Sequence, residues 1–289
     1  MILKYNMNKT EKLVFFDVET TGLPTHRNLI PTMFMLDKQP HIVQLSWIIV
    51  ETINPNYKEL PKELINELDN TEIKTEVDFD KSSEAWENNV QYYNEEEEEK
   101  EENQCDISDV ESDAEWLDYE MKKNDKRTRK YIEKDYIIKM RPGVSIPQSS
   151  TDIHKITNEI SRDKGVNIDV VLKEFIEDIS HANVVGAHNL SFDKQMILIE
   201  ASRLDLFGET SIPFKNVKKY CTMMNGINLC KIPIYFKHSD KYSYKWPKLS
   251  ELHRCLFDED VDENVVLHNA IEDCRVGVKC YLKMQSCKS

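Results

Sequence analysis

Residues 15–22 read F-F-D-V-E-T-T-G, and this stretch decides the fold. Four apolar residues, 13–16, lead directly into Asp17 and Glu19, and Gly22 closes the run. A continuous apolar run that ends in a turn signal is typical of a strand buried on both faces. Because side chains alternate along a strand, Asp17 and Glu19 point to the same side. Neighbouring carboxylates repel each other, so the pair predicts a bound divalent cation; a solvated strand end with two acids is the alternative.

Composition limits the class of protein. The chain has 289 residues, of which 40% are hydrophobic and 31% charged, which is enough for one large domain or two small ones. No apolar run approaches the roughly 18 residues that a membrane span needs, and residues 1–12 lack the apolar core of a signal peptide. We therefore predict an intracellular protein with no membrane partner. The seven cysteines form no C-x-x-C pair and predict reduced thiols, with a zinc site at His253 and Cys255 as the alternative.

The acidity of the chain is concentrated in one segment. The net charge is −14, and residues 84–120 contain sixteen acidic residues and one basic residue, Lys100. This segment therefore carries −15, which leaves +1 for the rest of the chain. Low hydrophobicity with dense like charge predicts that residues 54–130 form a disordered insertion. Aromatic residues lie among the acids of residues 84–120, which suits binding to a basic protein partner.

The remaining sequence alternates between strand and helix patterns. We predict strands at residues 12–19, 41–52, 134–140, 183–187 and 216–222, and helices at residues 150–158, 167–180, 190–204, 246–257 and 270–284. Strands that interleave with helices indicate an α/β fold. Sequential strands usually pair, so strands two and three are expected to form an antiparallel hairpin with the insertion at its tip. Residues 1–289 are thus predicted to form a single domain that residues 54–130 interrupt.

Two later stretches bear on the acidic pair. Residues 186–193 read G-A-H-N-L-S-F-D and place Asp193 in the first turn of a helix. Capping of that helix is the alternative role for an acid at this position. Residues 268–273 read H-N-A-I-E-D. Side chains five apart on a helix point about 140° apart, so His268 and Asp273 converge only if His268 precedes the helix. A loop histidine suits a base and a helical aspartate suits a metal ligand, although a surface histidine is the alternative.

Together these stretches resemble the DEDDh 3′–5′ exonucleases, the family of the epsilon proofreading subunit of bacterial replicative polymerases. The resemblance covers residues 12–53 and 131–283. It implies that Asp17, Glu19, Asp193 and Asp273 are catalytic acids and metal ligands and that His268 is the catalytic histidine. Residues 153–157, I-H-K-I-T, look like the family's I-H-G-I-T segment, with Lys155 in place of the usual glycine. The substrate-binding residues that the resemblance implies are Thr20, Leu23, His154, Asn189 and Phe192.

The resemblance also implies a fold and an activity. The fold is ribonuclease-H-like: a five-stranded mixed sheet with an antiparallel second strand, helices on both faces, and here the acidic insertion between strands two and three. The activity is hydrolysis of nucleic acid from a free 3′ end to nucleoside 5′-monophosphates, with two Mg²⁺ or Mn²⁺ ions. We expect single-stranded DNA as substrate, held by stacking more than by a basic surface because the body carries only +1.

Two other functions are alternatives. One is an RNA-trimming 3′–5′ exoribonuclease on the same scaffold, which the sequence does not separate from a DNA exonuclease. The other is a catalytically idle nucleic-acid-binding adaptor whose acidic segment recruits a partner. An idle protein is expected to lack at least one of the five catalytic residues, and all five are present.

Overall fold

The computed structural model describes residues 10–25, 33–53, 129–206, 214–236, 241–262 and 265–286. The predicted disorder of residues 54–130 and the partner predicted for residues 84–120 therefore concern a segment outside the described residues, except at positions 129 and 130. These two residues belong to a strand, so the predicted insertion extended two residues too far. The single domain predicted for residues 1–289 stays a prediction.

Five strands form one mixed sheet. They are β1 (Thr10–Thr20), β2 (Ile42–Ile53), β3 (Arg129–Ile137), β4 (Val184–Ala187) and β5 (Lys218–Cys221). Their order in the sheet is β3-β2-β1-β4-β5. The β1–β2 and β2–β3 pairs are antiparallel, and the β1–β4 and β4–β5 pairs are parallel. This confirms the ribonuclease-H-like sheet with an antiparallel second strand, the hairpin of strands two and three, and the position of the insertion between them.

Seven α-helices surround the sheet in the described part of the chain. They are α1 (Gln148–His154), α2 (Asn158–Lys164), α3 (Ile168–Ser180), α4 (Leu190–Arg203), α5 (Thr222–Cys230), α6 (Leu249–Phe257) and α7 (Ala270–Ser286), and residues Met33–Lys38 form a 3₁₀ helix. A separate antiparallel ribbon of β6 (Pro233–Phe236) and β7 (Lys241–Tyr244) connects α5 to α6. None of the described helices combines the length and apolar character that crossing a membrane requires.

The central strand β1 is buried on both faces, as its unbroken apolar run predicted. Phe16 packs on the face covered by α3 and α4, and its ring centroid lies 5.0 Å from that of Phe175 in α3. Phe15 packs on the opposite face, in a cluster with Leu252 of α6 and Val278 of α7. Helices therefore cover both faces of the sheet, which confirms the predicted layers.

A close approach between a helix and the sheet fixes the position of α7. A Cβ atom on Gly277 would lie 2.2 Å from the ring of Phe15, so only glycine lets the helix and the strand come this close. Asp273 lies one helical turn before Gly277, and Asp17 lies two residues after Phe15 on the same face of β1. The contact between Phe15 and Gly277 therefore places Asp273 beside Asp17.

Several predicted boundaries and elements were wrong. β3 begins at Arg129 and not at residue 134, because residues 129–133 continue the ladder with β2 even though charged residues interrupt their apolar pattern. The helix predicted at residues 246–257 begins only at Leu249, after Pro247. The strand predicted at residues 216–222 covers only Lys218–Cys221, and α5, β6 and β7 were not predicted at all.

The helix predicted at residues 150–158 begins at Gln148 and ends at His154, and α2, which begins at Asn158, was not predicted. Lys155 ends α1 in the left-handed conformation, with φ 61° and ψ 5°, and its backbone N–H donates to the Thr151 carbonyl. A side chain is strained in this conformation, whereas glycine is not. This geometry gives a physical reason for the glycine that the resembling family usually has at this position.

We expect Lys155→Gly to raise the free energy of unfolding by about 0.5–1 kcal/mol. Glycine relieves the strain of the left-handed backbone in the folded state, and its greater entropy in the unfolded state offsets part of this gain. Thermal denaturation measures the change as a rise in Tm of about 1–4 °C. Lys155→Ala is the control, because it removes the exposed side chain and keeps the Cβ atom. An equal rise in Tm for the alanine variant would contradict this explanation.

Candidate active site

The acidic pair lies where the ladder between β1 and β2 becomes irregular. The register of the two strands shifts between Glu19 and Thr20, next to the last strand residue. Asp17 and Glu19 lie on the α7 face of the sheet, because they alternate with the residues that pack against α3. An irregularity of this kind bends the strand and ends regular pairing next to functional sites. Both carboxylates thus lie at the end of a rigid strand.

Two helix N-termini bring two more carboxylates to this pair. Asp193 lies in the first turn of α4 with 2% of its surface exposed, and Asp273 lies in the first turn of α7. Burial and then the charges of Asp193, Asp273 and Glu19 raise the pKa of Asp17 well above its usual range. Burial and the charges of Asp273 and Asp193 raise the pKa of Glu19 to about 8. The four acids therefore share one space and oppose each other's ionisation.

The hydrogen bonds of Asp193 and Asp273 test whether a cation fits among these acids. One oxygen of Asp273, Oδ2, accepts a hydrogen bond of 3.2 Å from the backbone N–H of His268. Asp193 Oδ2 and Asp273 Oδ1 are buried and have no hydrogen-bond partner in the part of the chain that the structure describes. Buried polar atoms are almost always paired, so these two oxygens call for a partner other than a protein group. Oxygen is the ligand atom that Mg²⁺ and Mn²⁺ prefer, and the residues present fit such ions.

The histidine of the last motif lies beside the same acids. His268 is exposed and precedes α7 by two residues, where its spacing from Asp273 predicted it. Its backbone is left-handed, with φ 66°, which is unusual for a residue other than glycine. Glu19, His268 and Asp273 each offer a ligand atom, and these atoms lie within 4.8 Å of one another. The structure thus brings together all five residues that the resemblance implies are catalytic.

The alternative zinc site does not form. His253 Nδ1 lies 3.1 Å from the backbone oxygen of Glu259, and its ring packs against Phe257. Within the described residues, neither His253 nor Cys255 belongs to a group of three side chains placed to hold a metal. Burial is the largest influence on the pKa of His253 and lowers it. We therefore regard His253 as a packed core side chain.

Sequence reasoning missed the residue that supports the histidine loop. Gln44 of β2 is 2% exposed and lies directly opposite Glu19 in the antiparallel ladder. Its side chain accepts a hydrogen bond from the backbone N–H of Ala270 and donates to the side chains of Asn269 and Asp135. These bonds fix the start of α7 next to β1. A signal was present, because Gln44 interrupts the apolar run of the second strand on the side that faces the acids.

The predicted substrate-binding residues differ in their exposure. Leu23 is 76% exposed, whereas His154 is 5% exposed. Burial is the main cause that lowers the pKa of His154, and an interaction with the backbone of Thr20 opposes it. Asn189 precedes the first residue of α4, and Phe192 is half-buried against the core. Leu23 is therefore exposed to solvent, and His154 is buried close to the Thr20 backbone. The substrate contacts stay predictions.

A half-buried histidine connects the site to the segment that follows β7. The His188 ring lies 3.0 Å from Thr222 Oγ1 through Nδ1 and 3.0 Å from the Pro247 carbonyl through Nε2. Burial lowers the pKa of His188 to about 4, so the ring is neutral near pH 7. His188 directly precedes Asn189, whose carbonyl accepts the backbone N–H of Asp193. The chain around Pro247 is therefore anchored next to the acidic cluster.

Comparison with solved structures finds exonucleases of the DEDDh family, which have the ribonuclease-H-like fold described above. Exonuclease I from Methylocaldum szegediense is 13% identical with a TM-score of 0.47, over 96% of this chain and 40% of that chain. E. coli exonuclease I in a zinc-bound complex with single-stranded DNA is 10% identical with a TM-score of 0.48, over 96% and 41%. Exonuclease X in complex with 5′ overhanging duplex DNA is 14% identical with a TM-score of 0.40, over 96% and 92%.

These similarities differ in how much of each relative they cover. This chain spans only about 40% of the length of the exonuclease I structures, whereas it spans 92% of exonuclease X. No protein-family model matches the chain, and no curated protein matches it.

Proposed function

We propose that this protein is a metal-dependent 3′–5′ exonuclease that hydrolyses single-stranded DNA from its 3′ end to nucleoside 5′-monophosphates. One observation carries the proposal: four carboxylates from β1, α4 and α7 converge, and two of their buried oxygens lack a hydrogen-bond partner among the described residues. The exposed His268 lies beside them. A set of about four carboxylates next to a histidine suits metal-dependent phosphodiester hydrolysis.

The chemistry starts from the repulsion between the acids and the substrate. Asp17, Glu19, Asp193 and Asp273 would hold two Mg²⁺ or Mn²⁺ ions, which stabilise charge on the attacking and leaving oxygens when they are bound. The raised pKa values of Asp17 and Glu19 show that the cluster disfavours further negative charge unless cations neutralise it. Because the acids stand on a strand and two helices, their positions are set before substrate arrives.

The other residues would orient the strand and move a proton. His268 would take the proton from the attacking water, since histidine is the side chain best suited to accept a proton at neutral pH. Leu23 offers an exposed apolar side chain to the terminal nucleotide, just after Thr20 at the end of β1. Gln44 holds the loop that carries His268 and therefore acts through it as a positioning residue.

The direct test uses single-stranded DNA and RNA of one sequence, each labelled at the 5′ end. We expect a ladder of 3′-shortened products from DNA with Mg²⁺ and no products with EDTA. Release of nucleoside 5′-monophosphates, identified by chromatography, fixes the side on which the phosphodiester breaks. A ladder from RNA alone would support the exoribonuclease alternative, and binding without cleavage of either strand would support the idle adaptor.

The acidic insertion leaves the sheet far from the site. β2 and β3 still pair at Thr52 and Arg129, eight residues beyond Gln44, which is about 27 Å along the strand. Exposed charges farther apart than about 10 Å are largely screened at moderate salt. We expect deletion of residues 84–120 to leave turnover of a short oligonucleotide within a factor of about three at physiological salt.

The same deletion should tighten substrate binding only at low salt, where the repulsion of the −15 segment is unscreened. Steady-state kinetics at two salt concentrations measure both effects. The control replaces residues 84–120 by a neutral glycine-serine linker of equal length, which removes the charge and keeps the spacing. Loss of turnover at both salt concentrations, or failure of both variants to fold, would show that the segment belongs to the working enzyme.

A further inference from the structure

The ribbon of β6 and β7 presents an aromatic face that the proposed mechanism does not use. Tyr235 pairs with Tyr242 across the ribbon, and Pro233 pairs with Tyr244. Residues that face each other across two strands share one side, and so do residues two apart along a strand. Pro233, Tyr235, Tyr242 and Tyr244 therefore line one side of the ribbon, and we call it the tyrosine face.

The tyrosine face is open to solvent. Tyr242 is 79% exposed, Tyr244 is 47% exposed and Tyr235 is 44% exposed. The ring centroids of Tyr235 and Tyr242 lie 4.9 Å apart with an angle of 42° between the ring planes, so the two rings form one continuous surface. Three exposed tyrosines on a single short ribbon are more than the scattered apolar residues of an ordinary surface.

The sequence of the ribbon and its flanks has a net positive charge. Residues 231–248 contain five lysines and one acidic residue, Asp240, in a chain whose net charge is −14. Lys231 and Lys248, at the two ends of this segment, are exposed. Lys245 is different, because its Nζ lies 2.6 Å from Glu251 Oε1. Rings flanked by lysines suit an anionic ligand with flat apolar parts, and like charge disfavours a second copy of the same ribbon.

The ribbon joins the body of the protein next to the acidic cluster. Its two ends meet where the Lys245 N–H donates to the Ile232 carbonyl. Two residues later, the Pro247 carbonyl lies 3.0 Å from the ring of His188, which precedes the helix that carries Asp193. Tyr244 is three residues from Pro247, so the two Cα atoms are at most about 11 Å apart. The tyrosine face therefore begins within a few nucleotides' length of the proposed catalytic site.

We propose that the tyrosine face binds the bases of a single-stranded nucleic acid whose 3′ end occupies the acidic cluster. The inference rests on the proposed function and adds a second binding region to it. The tyrosine rings stack on successive bases, and the flanking lysines contact phosphates. Because every base has a flat face, such binding holds the strand without selecting its sequence.

The test measures binding and hydrolysis separately. Binding of a fluorescein-labelled oligonucleotide of twenty thymidylates is followed by anisotropy in EDTA, which suppresses metal-dependent hydrolysis. We expect the double variant Tyr235→Ser/Tyr242→Ser to weaken binding about 5-fold to 100-fold, the range expected for loss of aromatic stacking. With Mg²⁺, the ratio of kcat/KM for the long oligonucleotide to kcat/KM for dithymidylate should fall by a similar factor.

Two variants serve as controls. Tyr235→Phe/Tyr242→Phe keeps both rings and should bind the oligonucleotide about as tightly as wild type. Val170→Ser changes a residue of α3 that is 54% exposed and lies outside the ribbon, and it should leave binding unchanged. Circular dichroism and Tm values identify variants that fail to fold. If the serine pair fails to fold, the single variant Tyr242→Ser at the 79% exposed ring replaces it, and unchanged affinity of this variant overturns the inference.

The outcomes separate this inference from the proposed function. Unchanged affinity of the serine pair overturns the inference even if wild type hydrolyses DNA, and equal weakening by the phenylalanine pair overturns the stacking explanation. Tyrosine-dependent binding without any hydrolysis by wild type supports the binding region and overturns the proposed function. A wild-type dimer that the serine pair converts to a monomer in sedimentation overturns the inference in favour of self-association.

Discussion

Asp17→Ala is expected to reduce Mg²⁺-dependent hydrolysis to below about one per cent of the wild-type rate. The reason is that Asp17 is buried among the other acids, since burial and then the charges of Asp193, Asp273 and Glu19 raise its pKa. Its carboxylate would therefore help to hold the ions that the reaction needs. The measurement is the rate of 3′ shortening of a 5′-labelled DNA strand.

The same variant should fold normally. Replacing Asp17 removes one acid from a group of acids that repel each other. The free energy of unfolding of the metal-free protein should therefore stay constant or rise. Saturating Mn²⁺ should raise the Tm of wild type, since a ligand at 100 times its Kd stabilises by about 2.7 kcal/mol, and should raise that of Asp17→Ala much less. Asp17→Asn, which keeps the shape and removes the charge, is the matched control.

Two results would contradict this prediction, and a third would contradict its explanation by charge. Residual activity well above one per cent would show that Asp17 does not hold the ions that the reaction needs. An equal rise in Tm with Mn²⁺ for wild type and both variants would show that the ions bind elsewhere. If Asp17→Asn retains activity and Asp17→Ala does not, the side chain contributes by its shape and hydrogen bonding and not by its charge.

The sequence predicts those parts of the fold in which local pattern and tertiary role agree. In β1 the unbroken apolar run specifies a strand buried on both faces, and the structure packs Phe15 and Phe16 on opposite sides. The pairing of strands two and three follows from their adjacency along the chain once the acidic segment is set aside. The long-range contacts of these strands support the structure that the local pattern favours, which is why pattern alone is sufficient.

The errors fall where tertiary contacts override local pattern. The first half of β3 contains Arg129, Lys130 and Glu133, and it is a strand because β2 is long enough to pair with it. The ribbon was missed as well, and its strands read P-I-Y-F in β6 and K-Y-S-Y in β7. Its strands are four residues each, which is too short for a periodic signal.

The candidate site shows the same division. The resemblance of the motifs implies which acids meet, and the local pattern places each acid at the end of a strand or the start of a helix. The sequence does not predict how closely α7 approaches the sheet, which depends on the contact between Phe15 and Gly277. It also does not predict the hydrogen bonds of Gln44 with Asn269 and Ala270. Such contacts join residues more than 200 positions apart, and one sequence carries no record of them.

The roles of His268 and Asp273 make the second prediction with a large effect. His268→Ala should slow hydrolysis by about 10²-fold to 10⁴-fold, the usual contribution of a general base, and leave Mn²⁺ binding nearly unchanged. Alanine is the appropriate replacement, because it keeps a Cβ atom at φ 66° and so does not relax the left-handed backbone as glycine would. Asp273→Ala, in contrast, should weaken Mn²⁺ binding itself, because Asp273 Oδ1 is buried and no described residue forms a hydrogen bond with it.

Calorimetric titration with Mn²⁺ and single-turnover kinetics on the same preparations distinguish the two roles. The distinction matters because the ring of His268 lies with Glu19 and Asp273 in one group of ligand atoms within 4.8 Å, so geometry alone also allows the histidine to bind a metal. A base that contacts only water changes the rate and not the affinity for the ion, whereas a ligand changes both. If His268→Ala loses Mn²⁺ and Asp273→Ala retains it, then the histidine is the ligand, and the proton must pass to another group of the cluster.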